Sequence, residues 1–210
     1  EWTQADLSLS QNLPSQDVLE VARAVGQTIG PDAVLTLGPS QVLRDHDLMM
    51  PAREPLPRVF SNRGLAGIDG VLATAVGVTL AHGRPGFAVV GDLTFLHGSN
   101  GLLIGPNEPR PELTIVVLND DGGSIFSSLE QGAPEFARHF ERVYATPVGA
   151  SLRELCAGMK VEHHELTPAE LPAALAQTTA GIRVLEVCVS RATRRALSQE
   201  ISGISSKRFP

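Results

Sequence analysis

Two short apolar runs that each end in an acid constrain this chain most: Phe87-Ala-Val-Val-Gly-Asp92 and Leu113-Thr-Ile-Val-Val-Leu-Asn-Asp120. Both are β-branched, nearly continuous in apolar residues and bounded by turn residues, the pattern of a parallel strand buried on both faces. Ligands of open α/β sheets collect beyond the carboxyl ends of such strands. Asp92 and Asp120 are therefore expected at one crevice, where Asp121-Gly122-Gly123 brings backbone groups within reach. Two carboxylates beside a glycine-opened backbone suit a hard cation such as Mg²⁺, which completes its octahedron with water and phosphate oxygens. Either aspartate alone would serve equally well as the cap of a following helix; the pair says more.

The rest of the chain alternates helix and strand signals around these runs. Residues 1–14 read as a linker or N-terminal arm, and residues 15–210 as one unit. Val18, Val21, Ala22, Val25 and Ile29 recur at helical spacing, and Gly30-Pro31 ends the run. Strands are expected at 33–37, 58–60, 161–165 and 182–189, with a short helix at 42–48 and a proline-rich loop at 51–57. A glycine-rich turn, 61–70, feeds a helix at 69–81 whose small residues (Gly70, Ala73, Thr74, Ala75, Gly77) are expected to press on the sheet. Helix is also expected at 100–104, 123–130 and 151–158 and after 189, and Thr167-Pro-Ala-Glu170 reads as a capping box with proline at the first helical position. This alternation predicts an α/β fold, a three-layer α/β/α arrangement around a central, mostly parallel sheet.

Composition narrows the function classes. The net charge of −6 argues against nucleic-acid binding, and the one basic cluster, Arg191 to Arg195, is expected on a solvated terminal helix. No apolar run approaches the roughly 20 residues that span a bilayer, and no signal pattern opens the chain. Cys156 and Cys188 form no CxxC pair and read as reduced core residues, so a cytoplasmic location is expected. His163 and His164 should point to opposite faces of a strand and so share no metal, while His97 is a minor candidate beside the site. The chain begins at Glu1 without methionine, which either processing or excision from a longer polypeptide would explain.

Gly91-Asp92, followed after 27 residues by Asp120, resembles the bipartite signature of thiamine diphosphate enzymes. With Gly38-x-Ser40-x-x-x-Arg44, Ser61-Asn-Arg-Gly-x-x-Gly-Ile-Asp-Gly70, Gly91-Asp-Leu-Thr-Phe-Leu-His-x-x-Asn100 and Asn119-Asp-x-Gly-Gly-x-Ile-Phe126, the resemblance sharpens. Together these motifs resemble the C-terminal, diphosphate-binding domain of the 2-succinyl-5-enolpyruvyl-6-hydroxy-3-cyclohexene-1-carboxylate synthases of menaquinone biosynthesis.

That resemblance implies thiamine diphosphate and Mg²⁺ as cofactors, with Mn²⁺ as an alternative metal, and 2-oxoglutarate and isochorismate as substrates. It implies Asp92, Asp120 and the Gly122 carbonyl as metal ligands, and Gly91, Leu93 and Thr94 against the diphosphate. Ile68 matches the apolar residue that props the cofactor in its bent form, with Ile125 also beside the cofactor. Arg44 and Arg63 match substrate-facing arginines, suited to carboxylates by their bidentate geometry; Ser40, Ile125, Phe126 and Leu129 complete the substrate side. Asp121, Gly98 and Pro39 depart from the family pattern, and Asp121 is expected to face away from the metal. No catalytic residue is assigned: the activating glutamate of such enzymes lies on a pyrimidine-binding domain that these residues do not include. The chain alone is therefore expected to be inactive, and the full-length protein to be a homodimer or homotetramer. Two alternatives stand beside this reading, an acetolactate-synthase-like carboligase and a non-catalytic Mg²⁺-binding α/β module. A nicotinamide site is disfavoured, because Gly64, Gly67 and Gly70 lack the required spacing.

Overall fold

The computed structural model describes residue 13 and residues 15–50, 55–65 and 67–208, with side chains through residue 203. Apart from Leu13, the expected arm at 1–14 lies outside the described residues, as does 51–54 of the expected loop.

Among the described residues six strands form at or within a residue or two of the expected positions: β1 (Val34–Leu37), β2 (Arg58–Phe60), β3 (Gly86–Gly91), β4 (Leu113–Asn119), β5 (Glu162–Leu166) and β6 (Ile182–Cys188). They pair in the order β2-β1-β3-β4-β6-β5. Every neighbouring pair is parallel, so the sheet is wholly rather than mostly parallel. Helices are α1 (Asp17–Thr28), α2 (Gln41–Met49), α3 (Val71–His82), α4 (Asp92–Gly98), α5 (Ala137–Phe140), α6 (Leu152–Met159), α7 (Leu171–Leu175) and α8 (Arg194–Arg208). Among the described residues no helix is long and apolar enough to cross a membrane.

Alternation along the central strands sends side chains into two separate cores. Leu35, Val89, Val116, Leu118, Leu185 and Val187 meet α1, α2, α7 and α8 on one face. Ala88, Val90, Ile115, Val117 and Val184 meet α3, α4 and α6 on the other. Phe95 of α4 is fully buried there, and truncating it to alanine should cost about 3–5 kcal/mol. With apolar cores on both faces, polar chemistry is confined to the strand ends. From β1 the chain steps outward to β2, then returns through α3 to β3 on the other side of β1. The order reverses between β1 and β3, the place where open sheets part at their carboxyl ends.

Several local expectations are corrected. The helix face pressed on the sheet is Val71, Leu72, Ala75 and Thr79, whereas Ala73 and Gly77 are exposed. The close approach is made by Gly86 instead, where an added Cβ would meet the Thr79 Oγ1 at 2.0 Å. The helix after Asp92 begins at once, and Ser99–Leu102 is a 3₁₀ turn. The segment 123–130 is not α-helical: Ser124–Ser128 is also 3₁₀, because Gly122 and Gly123 turn the chain under residues 144–145. The capping box is only half formed. Glu170 accepts the Thr167 N–H at 2.8 Å, but the Thr167 hydroxyl donates to that same carboxylate and α7 starts later, at Leu171. Cys156 is buried as expected; Cys188 is exposed at the strand end, and both are free thiols.

Candidate functional site

The carboxyl ends of β1, β2, β3, β4 and β6 surround a cavity of about 460 Å³. Parallel pairing brings the two acids together. Gly91 lies in register with Leu118, so Asp92 and Asp120 emerge from adjacent strands, one residue beyond β3 and one beyond β4. Both line the cavity, and Asp92 is only 4% exposed.

Burial pushes the Asp92 carboxyl up to about 6 and the neighbouring Asp120 charge adds to this, while the Leu93 and Gly122 backbone amides oppose it. Burial raises Asp120 as well, against the Ser124 hydroxyl and the guanidinium groups of Arg194 and Arg191. A buried carboxylate and a half-buried one, both raised by burial and the first also by the charge of the second, are relieved by a cation between them. Asp92 is not the N-cap of α4, a position held by Gly91, and no α-helix follows Asp120. Helix capping therefore does not account for the pair.

Gly122 sits at φ +144°, where a Cβ would meet the Ala145 carbonyl oxygen at 2.4 Å, so only glycine fits this turn. Its carbonyl accepts one bond, from the Ser124 N–H at 3.2 Å, which leaves a lone pair for another partner. Among the described residues no three His, Cys, Asp or Glu side chains converge as a metal centre. The donor set on offer is two carboxylates and a carbonyl, all oxygen, which fits a hard cation whose remaining positions are filled by ligand oxygens and water.

The other expected residues gather round the same cavity. Gly91, Leu93 and Thr94 line it at the start of α4, where the first helical amides lack intrahelical partners. Ile68 lines it half-buried and belongs to neither core, so plain core packing does not explain it. Ser40 and Arg63 approach from beyond β1 and β2, Arg44 from the first turn of α2, and Ile125, Phe126 and Leu129 from the 3₁₀ segment after β4 and its C-cap. Phe126 and Leu129 remain 36% and 47% exposed. Arg44 and Arg63 are exposed and, among the described residues, enter no ion pair, although Arg44 donates to the Ser40 carbonyl at 2.7 Å. Ser40 holds φ +71°, ψ −134°, a region L residues avoid, and its hydroxyl caps nothing. Strain of this kind, about 1–3 kcal/mol, collects at ligand-binding positions.

Asp121 turns away, as expected: its Oδ1 accepts the Val148 and Gly149 amides at 3.2 and 3.1 Å. Pro39 lines the cavity, Gly98 packs against Leu72, and His97 is exposed outside the lining. His163 and His164 have separate partners, Glu186 and Glu162.

The arginine cluster corrects its expectation. Arg191 donates to the Asp120 and Asp121 carbonyls at 2.5 Å each and pairs with Glu141. Arg194 is buried against Asp45 and lines the cavity, and Arg195 donates to the Ser127 and Leu129 carbonyls. Charge counting hid this, since a basic run resembles a solvated face until its partners are known. Glu186 was also missed, although a carboxylate inside Ile182-Arg-Val-Leu-Glu-Val-Cys188 was the signal: an acid in a buried strand needs partners.

No protein-family model matches the chain. Three proteins named 2-succinyl-5-enolpyruvyl-6-hydroxy-3-cyclohexene-1-carboxylate synthase are similar to it. That of Nocardia farcinica is 51% identical over 185 residues, 88% of this chain and 34% of that protein. That of Saccharopolyspora erythraea is 46% identical over 207 residues, 95% of this chain and 37% of its own. That of a Nocardioides species is 44% identical over 218 residues, 97% of this chain and 40% of its own. The chain thus spans well under half the length of the relatives it matches. Over nearly all of its sequence, it is a homologue of one segment of the 2-succinyl-5-enolpyruvyl-6-hydroxy-3-cyclohexene-1-carboxylate synthase family.

Proposed function

We propose that this chain is the C-terminal, diphosphate- and Mg²⁺-binding part of a thiamine diphosphate-dependent synthase. The enzyme decarboxylates 2-oxoglutarate and adds the succinyl unit to isochorismate in menaquinone biosynthesis. The observation that carries this is the pair Asp92 and Asp120, raised together by burial at adjacent strand ends in a cavity lined by every other expected site residue.

Bound thiamine diphosphate supplies the electron sink that decarboxylation of a 2-oxo acid requires. Asp92, Asp120 and the Gly122 carbonyl would hold Mg²⁺, whose charge would offset that of the diphosphate, while Leu93 and Thr94 would offer amides and a hydroxyl to the phosphate oxygens. Ile68 and Ile125, which line the cavity, would exclude water from the cofactor's reacting end and help position it, a proximity effect. Arg44 and Arg63, exposed and outside any described ion pair, grip the carboxylates that both substrates carry. Among the described residues no glutamate lines the cavity. On this reading, the acid that serves the pyrimidine would come from another domain or subunit, and the chain alone would be inactive.

Isothermal titration with Mg²⁺ and thiamine diphosphate tests the site. Asp92→Ala in the full-length protein should nearly abolish cofactor binding, and unchanged affinity refutes the assignment. Product analysis with 2-oxoglutarate and isochorismate, against pyruvate, tests the reaction.

A further inference from the structure

We infer that Glu186 is a positioning residue for the metal loop and acts on it through Asn119. This rests on the metal site proposed above.

Three parallel strands contribute to one buried polar row. Glu186 lies on β6, 7% exposed, on the sheet face otherwise filled by Ile182 and Val184. Its Oε1 accepts the Asn119 Nδ2–H at 2.6 Å at the end of β4. Its Oε2 lies 2.7 Å from His163 Nε2 on β5, with those side chains only 9% and 4% exposed. Asn119 is thereby oriented, since its amide nitrogen must face the carboxylate and its oxygen the other way. That oxygen accepts the Asp121 N–H at 3.0 Å.

The bond matters because of what the loop must do. Asp121 holds φ +51° and Gly122 φ +144°, both in the left-handed half of backbone space, and this turn aims Asp120 and the Gly122 carbonyl. A non-glycine residue keeps such a conformation only when its surroundings over-determine it. Arg191 fixes the loop from one side through the Asp120 and Asp121 carbonyls; Asn119 fixes the amide between them from the other. An isolated carboxylate in an apolar face is costly, and a leucine would pack beside Val184 without that cost. The carboxylate supplies what leucine cannot: a fixed acceptor that sets the Asn119 rotamer. Its contact with His163 Nε2 holds the carboxylate in turn, and among the described residues the other ring nitrogen, Nδ1, has no hydrogen-bond partner.

The test is Mn²⁺ binding to the full-length protein with thiamine diphosphate, read by electron paramagnetic resonance, with thermal melts alongside. Glu186→Leu and Asn119→Ala should weaken Mn²⁺ binding about 10–100-fold while folded, whereas Glu186→Gln, whose amide oxygen still accepts from Asn119, should stay within about threefold. A purely structural role lowers the melting temperature and leaves the affinity of the folded protein unchanged, which overturns the inference. So does a glutamine variant as weak as the leucine variant. If Glu186→Leu fails to fold, Asn119→Ala decides, being half-buried at a strand end. Failure of the unaltered protein to bind Mn²⁺ sinks the metal site itself, a result distinct from failure of the variants to differ.

Discussion

The Arg194 guanidinium closes on the Asp45 carboxylate through two parallel bonds, Nη1 to Oδ1 at 2.9 Å and Nη2 to Oδ2 at 2.7 Å. Both side chains are 6% exposed. The pair ties the start of α8 to α2, whose N-cap is Ser40 and which carries Arg44, so α8 braces the cavity wall that these two residues line. Removing one partner strands a buried charge. Arg194→Met or Asp45→Leu alone should cost about 3–5 kcal/mol, whereas the double variant should recover much of that loss. Urea unfolding of the four proteins gives the cycle, and additive losses would show that the bond geometry is incidental.

Ser40 separates strain from chemistry. Its φ of +71° is tolerated by glycine, so Ser40→Gly should relieve about 1 kcal/mol of strain, offset in part by greater freedom in the unfolded chain. Ser40→Ala keeps the strain. Both variants lose the hydroxyl and, on the function proposed above, should raise the KM of the full-length enzyme for the proposed carboxylate substrates. A stability gain confined to glycine, with a similar KM change in both, is the expected pattern; a KM change in neither removes Ser40 from the substrate side.

The strands and the acid pair were legible in the sequence because they depend on local pattern: β-branched runs, a period that switches at turns, and an aspartate after each run. Asp92 and Asp120 needed only the rule that parallel strands end together. The misreading of Arg194 and Arg191 and the omission of Glu186 share a different cause. Each owes its role to a partner far away in the chain, Asp45, the Asp120 carbonyl or Asn119, and no window of sequence contains both members. The 3₁₀ segment after Gly123 was misread for a related reason, since its path is set by contact with Ala145 and not by its own propensity.

His46 makes stability depend on pH. It is fully buried on α2, its Nδ1 donates to the Val42 carbonyl at 2.8 Å and its Nε2 has no partner among the described residues. Burial lowers its pKa, against the Val42 bond and the Asp45 charge. Below the unfolded value of about 6.5 the unfolded chain binds a proton that the folded chain refuses. This contribution is therefore fully present above that pH and is lost as pH falls, by at most about 1.4 kcal/mol per pH unit. Urea midpoints from pH 8 to pH 5 should decline less in His46→Gln than in the parent. Parallel curves would mean that the imidazole takes up its proton while buried.

Asp92 should trade stability for binding. In the metal-free chain its carboxyl is pushed up to about 6, first by burial and then by Asp120. At neutral pH the folded state thus bears an ionised group that it disfavours. Asp92→Asn removes that charge and keeps the shape, and should stabilise the metal-free chain by about 1–2 kcal/mol, less than the full shift implies because solvent near the cavity mouth screens part of it. The same change deletes a hard anionic ligand, so Mg²⁺ should no longer raise the melting temperature. Thermal melts of both proteins, with and without Mg²⁺ and thiamine diphosphate, read the two effects at once. The parent should start lower and rise with ligand, while the variant should start higher and stay flat. If the variant starts lower instead, the carboxylate is held by its Leu93 and Gly122 amides more strongly than burial and Asp120 oppose it, and it is then a structural anchor in place of a site waiting for a cation.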